Sequence, residues 1–229
     1  MRRRLWAILL ALAVLFVFPA GLSEDDDEEF EFDDDPGGFG YFNELSGFDE
    51  ANDNVECGDY TYQVTEDGDG AFIVKYHGPD PDVKVPDHMD NYPVVAIGDH
   101  CFEDFAVNIL SVELPEGIKS IGVQAFATCE NLKTLVIPEG VTTLDDRCFL
   151  GCKLLQSVTI PDSVVEVGDM AFAVCMGLEE VSFGAELERI GANAFQACQS
   201  LKKVTLPADA EIGDNAFLAC SPDLEIIKK

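Results

Sequence analysis

The sequence predicts a repeat solenoid in which short parallel strands and helical turns stack behind an N-terminal β-hairpin cap. A proline, once replaced by glycine, recurs every 23 residues, at Pro115, Pro138, Pro161, Gly184 and Pro207. A phenylalanine keeps the same step at Phe126, Phe149, Phe172 and Phe195, with Phe102 one residue longer and Phe217 one shorter. A period of this length identifies one turn of a solenoid, which cannot bury its apolar face without neighbouring turns.

Each repeat reads L-x-x-V-x-I-P-x-x-V-x-x-I-G-x-x-A-F-x-x-C. Alternation in the V-x-I-P part predicts a strand with Leu135 and Ile137 facing inward and Thr134 and Val136 facing outward. Proline ends this strand because it has no N–H to donate, and V-x-x-I-G predicts a second short strand that closes at a glycine turn. We interpret A-F-x-x-C as one helical turn. Stacking should align the Phe, Ile and Leu positions into continuous ladders.

This repeat resembles the leucine-rich repeats of the BspA type, found in bacterial and protist surface proteins. The segments 121–129, 167–175 and 190–198 match the "IGxxAFxxC" signature of that family. Leu144-Asp145 replaces Ile-Gly, Cys148 replaces Ala, and the stretch 105–110 lengthens the first unit. The resemblance covers residue 60 onward, and it implies surface adhesion or binding of host proteins.

Residues 1–23 have the layout of a secretory signal peptide. Arg2 to Arg4 precede an apolar run from Leu5 to Phe18, and small residues occupy Gly21 and Ser23. The alternative is a transmembrane anchor, but 14 apolar residues are fewer than the roughly 20 that a spanning helix needs. We therefore expect cleavage after Ser23 and a secreted, extracellular or cell-surface protein with no integral membrane segment in the mature chain.

Residues 24–56 are predicted to form an acidic disordered spacer. Ten of the twelve residues from Glu24 to Asp35 are acidic, and like charges with little apolar surface favour a solvated chain. The alternative is weak cation binding or attachment to a basic partner, with the interleaved aromatic residues as anchors. The segment 66–70 lacks the twelve-residue spacing of an EF-hand loop.

Residues 57–96 are predicted as the N-terminal β cap and residues 97–229 as the leucine-rich repeat array. The pattern Y-T-Y-Q-V, a Gly/Asp turn at 66–70 and A-F-I-V-K-Y predict a hairpin that covers the apolar end of the first turn. The segment from Leu224 to Lys229 predicts one more strand, docked on the strand from Val204 to Leu206. Lys228 and Lys229 would discourage pairing of this edge with another chain.

The net charge of −30 constrains the partners. Removing residues 1–23 leaves 11 basic and 44 acidic residues, a net charge of −33. Such a protein repels nucleic acids and anionic membrane surfaces and favours basic or cation-bridged partners. Together with the two terminal lysines, the charge predicts a monomer.

The eight cysteines do not predict a disulfide framework or a zinc site. Five share one repeat position and are expected to stack as a buried, reduced column: Cys129, Cys152, Cys175, Cys198 and Cys220. Cys57, Cys101 and Cys148 lie outside that column, and only a bridge from Cys57 is considered. Without a C-x-x-C knuckle, a recognisable nucleophile motif or a cofactor motif, we expect no metal, no cofactor and no enzymatic activity.

The sequence therefore predicts a protein-binding module whose exposed sheet contacts a protein ligand, such as a host or neighbouring-cell surface protein. The predicted outward positions are Ser111, Glu113, Thr134, Val136, Ser157, Thr159, Glu180, Ser182, Lys203 and Thr205. They are small and mostly polar, and they include no aromatic platform for sugars. The alternative is a structural, envelope-associated spacer, or a weak cation-binding surface protein, without a specific protein ligand.

Processing of the predicted signal peptide has a spectroscopic consequence, because Trp6 is the single tryptophan of the sequence. Secreted protein should begin near Glu24 and show tyrosine emission only, whereas unprocessed protein serves as the tryptophan-containing control. A tryptophan band from secreted material of full mass would contradict cleavage.

Overall fold

The computed structural model describes residues 54–229, so the predicted signal peptide and nearly all of the acidic segment lie outside the described residues. The described part is an alternation of short strands and turns that repeats along the chain. Each turn contributes one strand to each of two stacks. Equivalent residues pair with counterparts 22 to 24 residues away, except across the lengthened first unit, where residues 82–84 pair with residues 111–113, 29 positions away. The predicted solenoid is confirmed.

The larger sheet contains ten strands and begins with the cap. Numbered in chain order, its strands are β1 (Val55–Cys57), β2 (Tyr60–Val64), β3 (Ala71–Tyr76), β5 (His88–Met89), β6 (Tyr92–Ile97), β8 (Ser120–Ile121), β10 (Thr143–Leu144), β12 (Glu166–Val167), β14 (Arg189–Ile190) and β16 (Glu211–Ile212). Strands β1, β2 and β3 are antiparallel, and β3 then pairs in parallel with β6. The predicted hairpin cap thus continues directly into the first turn of the array. Val55 and Glu56, placed in the spacer from sequence, belong to β1.

The second stack contains the strands that come just before the recurring proline positions. It comprises β4 (Asp82–Lys84) paired with β7 (Ser111–Glu113), and a five-stranded sheet of β9 (Thr134–Val136), β11 (Ser157–Thr159), β13 (Glu180–Ser182), β15 (Lys203–Leu206) and β17 (Glu225–Lys228). Leu135 and Ile137 are buried while Thr134 and Val136 are exposed, as predicted. Strand β17 pairs in parallel with β15, which confirms the predicted docking of the last strand.

The A-F-x-x-C segments are tight turns, so the expected helical turn is wrong. Gln124 and Thr128 have positive φ angles of 54° and 60°, and Arg147, Met170 and Val174 repeat this conformation in later turns. The Ala127 N–H donates to the Gln124 carbonyl three residues back, at 3.0 Å, while the Phe126 N–H donates to Cys148 of the next turn, at 2.8 Å. Alternate N–H groups therefore bond within a turn and between turns, which a helix does not allow.

A 3-10 helix, Glu103–Asn108, occupies the lengthened first unit. Its end is closed by a bond from the Ile109 N–H to the Ala106 carbonyl. The six extra positions of the stretch 105–110 are accommodated here without disturbing the register of β7 against β4.

A column of stacked phenylalanine rings forms the centre of the core. Ring centroids lie 4.6 to 5.5 Å apart along the series Phe102, Phe126, Phe149, Phe172, Phe195 and Phe217. The planes of successive rings differ by at most 18°. The ladders expected from the 23-residue step are therefore present.

Replacement of a central ring should cost more than replacement of a terminal one. Phe172→Ala leaves a cavity between two stacked rings and should lower the free energy of unfolding by about 3–5 kcal/mol. Phe217→Ala is the matched control, because Phe217 is half-buried and stacks on Phe195 alone among the described rings. Urea unfolding of both variants measures the difference, and equal losses would contradict a continuous column.

Candidate functional site

The outer face is the solvent side of strands β7, β9, β11, β13 and β15, where the sequence predicted partner contacts. Seven of the ten predicted residues are exposed: Glu113, Thr134, Val136, Ser157, Thr159, Glu180 and Ser182. Ser111 and Lys203 are half-buried. The strands bring all ten to one side of the stack, in two rows that follow the register of the strand pairs.

Thr205 is the exception, since only 4% of its surface is accessible. Its expected exposure is wrong. It lies in register between Ser182 and Ile227, because strand β17 extends the sheet by one more strand beyond β15. Ile227 lies opposite Thr205 in this pair, and although the docking of the last strand was predicted, its effect on the exposure of Thr205 was not.

Charges on the outer face are paired at its two ends. Lys84 Nζ lies 2.7 Å from Glu113 Oε1, and Lys203 donates to Glu180. Between these pairs the face is uncharged, and Val136, with 64% of its surface exposed, is its most exposed apolar residue. The centre of the face therefore presents apolar and hydroxyl-bearing side chains, and an ion pair lies on either side of it.

Sequence reasoning missed that the outer face extends onto β4. Asp82 and Lys84 lie beside Ser111 and Glu113 in register, and the Ser111 hydroxyl donates to Asp82 Oδ1 at 2.6 Å. The signal was available in Val83-Lys84-Val85-Pro86, which repeats the strand-proline pattern of the later turns. The pattern itself is recognisable from sequence, but the predicted set of outward residues began only at Ser111.

The five-stranded sheet is interrupted between β11 and β13. Strands β9 and β11 pair at three positions, as do β13 and β15, but β11 and β13 pair only at Ser157 and Glu180. Beyond that pair lies a cleft of about 270 Å³, lined by Val158, Thr159, Ile160, Asp162, Ser182, Phe183 and Gly184. Sequence reasoning missed it, although Phe183-Gly184 replaces the Ile-Pro pair of the preceding turn.

A second feature is a row of carboxylates at the turn after the I-G motif. Asp99, Asp146 and Asp169 each accept a hydrogen bond from a backbone N–H of the next turn, at 2.7 to 2.8 Å. The residue beneath each carboxylate is glycine, at Gly122, Gly168 and Gly191, where an added Cβ would lie 2.4 to 2.6 Å from an aspartate oxygen. Glycine is therefore required wherever the previous turn carries this aspartate.

Asp145 occupies the glycine position in the turn whose predecessor carries Val123 in place of the aspartate, whereas the turn after Ala192, which also replaces the aspartate, keeps Gly213. Its Oδ2 is buried and has no hydrogen-bond partner among the described residues. Burial raises the pKa of Asp145 to about 7, and the neighbouring charges of Asp99, Asp146 and Glu166 contribute in the same direction. Asp145 is thus a destabilising carboxylate whose ionisation the fold disfavours.

The cysteine column is buried as predicted, except at its end. Cys129, Cys152, Cys175 and Cys198 are fully buried, whereas Cys220 in the last unit is half-buried. The thiols of Cys152, Cys175, Cys198 and Cys220 donate to phenylalanine carbonyls of the previous turn, at 3.1 to 3.3 Å. Burial raises the pKa of Cys129 to about 12, which keeps that thiol protonated.

Cys101 and Cys148 share a second inward position, which holds alanine in most other turns, and both are fully buried. Cys57 is half-buried on β1, with its Sγ 4.0 Å from Asp90 Oδ1. The structure thus separates the three cysteines outside the column into two core residues and one at the cap.

The three histidines lie apart from one another in or beside the cap. His77 contacts Glu56, His88 contacts Asp87, and His100 contacts Glu103, with nitrogen–oxygen distances of 3.3 to 3.5 Å. Among residues 54–229, no three His, Cys, Asp or Glu side chains are grouped so that they could hold a metal ion. Within the same range, no helix has the length and apolar character needed to cross a membrane.

Comparison with known proteins identifies the repeat. The sequence profile of the BspA-type leucine-rich repeat region matches residues 95–222 in six copies. A search of curated proteins finds no match.

Solved structures share the fold. The leucine-rich repeat protein TpLRR of T. pallidum is 25% identical, with a TM-score of 0.67, and the alignment covers 76% of this chain and 91% of that one. A leucine-rich repeat protein from Bacteroides ovatus is 23% identical, with a TM-score of 0.63, over 77% of this chain and 53% of that one. The pneumococcal vaccine antigen PcpA is 22% identical, with a TM-score of 0.61, over 74% of this chain and 48% of that one. This chain thus spans about half the length of the latter two proteins.

The raised pKa of Asp145 gives a pH dependence with a defined sign. In the unfolded chain an aspartate titrates near ~3.9, so the cost of ionising Asp145 in the folded state is absent below about pH 4 and complete above about pH 7. Relative to wild type, Asp145→Asn should therefore gain stability as the pH rises from about 4 to about 8. We expect a gain of about 2 kcal/mol, allowing for partial solvent screening.

Urea unfolding at several pH values measures this gain. Asp209→Asn, which removes an exposed carboxylate and so makes the same change in side chain, is the control. A pH-independent difference between Asp145→Asn and wild type would contradict the raised pKa.

Proposed function

The chain belongs to the BspA-type leucine-rich repeat family, and from this premise we propose that it is a non-catalytic, exported scaffold that binds a protein at the cell surface. The binding surface is the outer face. Its ligand is a protein of the host, the extracellular matrix or a neighbouring cell, and adhesion is the consequence of that binding.

One observation carries the proposal: the solenoid holds a flat row of exposed residues on a rigid support. The centre of the outer face holds Thr134 and Val136 on β9 in register with Ser157 and Thr159 on β11. On each strand, the residue between the two exposed ones is buried. Solenoids use such extended surfaces for protein recognition. A row of small side chains also loses little conformational entropy when a partner covers it.

The location outside the cell is supported by the sequence rather than by the described residues. The predicted signal peptide of residues 1–23 directs export, and the acidic segment that follows would separate the repeat array from the point of attachment. The net charge of −30 opposes nucleic acid as a partner and favours a protein with basic patches.

The test is capture of proteins from extracellular matrix or from neighbouring-cell surfaces by the immobilised protein, followed by mass spectrometry. Val136→Arg combined with Thr159→Arg places two bulky charges at the centre of the outer face and should abolish capture of the specific ligand. Leu218→Arg is the control, because Leu218 is 50% exposed but lies on the turn segments outside the outer face.

Unchanged thermal unfolding must accompany each variant, so that loss of capture reports on the surface. Equal capture by wild type and by the outer-face variant would contradict the proposal. Absence of any specific ligand would favour the alternative, an envelope-associated spacer or weak cation-binding surface protein.

A further inference from the structure

The strands β11 and β13, which border the cleft, pair less extensively than the other neighbouring strands of the five-stranded sheet. In the two adjoining strand pairs, an N–H from the residue after the strand reaches across to the next turn: Ile137 donates to the Thr159 carbonyl at 3.1 Å, and Phe183 donates to the Thr205 carbonyl at 2.9 Å. The equivalent bond from the Ile160 N–H to the Ser182 carbonyl is absent among the described residues. Within the five-stranded sheet, β11 and β13 therefore separate beyond Ser157, and among the described strands β7 and β9 also lie in different sheets.

Two residues of the fourth repeat border the opening. Phe183 replaces the smaller Ile160 of the previous turn, and its ring packs edge-on against Phe195, with centroids 6.1 Å apart. At Gly184 the backbones of the two turns lie close together again, since an added Cβ would lie only 2.4 Å from the Asp162 Cα. The cleft is thus bounded by the Ser157–Glu180 pair at one end and by this close approach at the other.

The walls of the cleft combine acceptors with apolar surface. Thr159, Ser182 and Asp162 are the lining residues whose side chains carry oxygen atoms. Among the described residues the Asp162 carboxylate has no hydrogen-bond or ion-pair partner, and it is exposed. Val158, Ile160 and Phe183 supply the apolar part.

The size of the cleft selects one side chain as its occupant. At about 270 Å³ it falls below the range of roughly 300–1,000 Å³ that is typical of pockets for small molecules and cofactors. A long side chain with an apolar stem and a polar head that carries several N–H donors matches both parts of the wall. The guanidinium group satisfies this best, because its planar fork bonds a carboxylate and neighbouring oxygens at once.

Exposed acidic residues form a row along the solenoid that ends at the cleft. Glu116, Glu139 and Asp162 follow the proline in three successive turns, and all three are exposed. Such a row attracts a basic segment and aligns it with the axis of the solenoid.

We infer that this cleft is the anchor point of the outer face and takes an arginine side chain from a basic segment of the protein partner. The inference rests on the proposed protein-binding function and adds the chemistry of the residue that is recognised. Val136 and the hydroxyls around it then contact the remainder of that segment, while the arginine fixes its position along the array.

The opening itself is tested first, on the full chain without any ligand. Amide hydrogen exchange measured by NMR should be at least about tenfold faster for Ile160 than for Ile137, since only Ile137 donates to the neighbouring turn. Equal protection of the two amides would show that the sheet is closed in solution and would overturn the inference.

Binding is tested with three blocked peptides, Ac-Gly-Arg-Gly-NH2 and its lysine and citrulline counterparts. The arginine peptide should produce saturable shifts in the amide signals of Ile160, Ser182 and Gly184, and the other two peptides should bind more weakly. Asp162→Asn should weaken the arginine peptide about tenfold, the low end for a hydrogen bond to a charged group. Glu139→Gln, which removes the same charge one turn away, is the matched control and should leave binding unchanged.

The outcomes separate this inference from the proposed function. Shifts spread over all acidic residues, equal effects of Asp162→Asn and Glu139→Gln, or equal binding of the lysine peptide would each overturn the arginine site. Ligand capture that depends on Val136 and Thr159 but not on Asp162 would overturn this inference alone. Saturable arginine binding together with capture that ignores the outer face would instead overturn the proposed function.

Discussion

The fixed spacing between successive turns is the constraint on which the rest of the structure depends. Neighbouring strands in a sheet lie about 4.8 Å apart, so each side chain must fit directly against its copies in the turns above and below. The phenylalanine rings meet this condition by stacking, with centroids near that spacing. The thiols of the cysteine column meet it by donating to a carbonyl of the previous turn. A residue that fits its own turn but not the adjacent one is therefore excluded.

This constraint acts between turns as well as within them, and the aspartate row shows how. The choice of glycine at position 168 depends on Asp146, which lies in the previous turn and 22 residues away in sequence. Where Val123 interrupts the row, Asp145 stands at the glycine position, with a buried oxygen that no described group satisfies. Where Ala192 interrupts it, Gly213 is kept, because an added Cβ would lie 2.6 Å from backbone atoms of the previous turn.

Sequence reasoning predicted the strands well because alternation fixes the two faces of each strand. Leu135 and Val136 could be assigned to opposite sides from that pattern alone, and the cap hairpin followed from its turn residues. The A-F-x-x-C segment was misassigned because an i, i+3 spacing is shared by a helical turn and by consecutive tight turns, which differ in backbone φ. Gly151 and Asn193, residues that tolerate positive φ, were the available signal.

The candidate site was harder to predict than the fold, because it depends on contacts between turns. The burial of Thr205 requires Ile227 of the following strand, and the extension onto Asp82 requires the register of β4 with β7. The cleft depends on how far two strands separate, which a one-dimensional pattern does not encode. The only sequence signal for the cleft was Phe183-Gly184, which stands where the preceding turn has Ile160-Pro161.

The interrupted strand pair also affects the mechanics of the molecule. At that interface the larger sheet remains fully paired, with Glu166 beside Arg189 and Val167 beside Ile190, while the opposite stack is held at one position only. A rod that is bonded along one side and open along the other is least stiff towards the open side. The two halves of the outer face are therefore joined at this interface mainly through the larger sheet, so any relative movement of the two halves would use that sheet as its hinge.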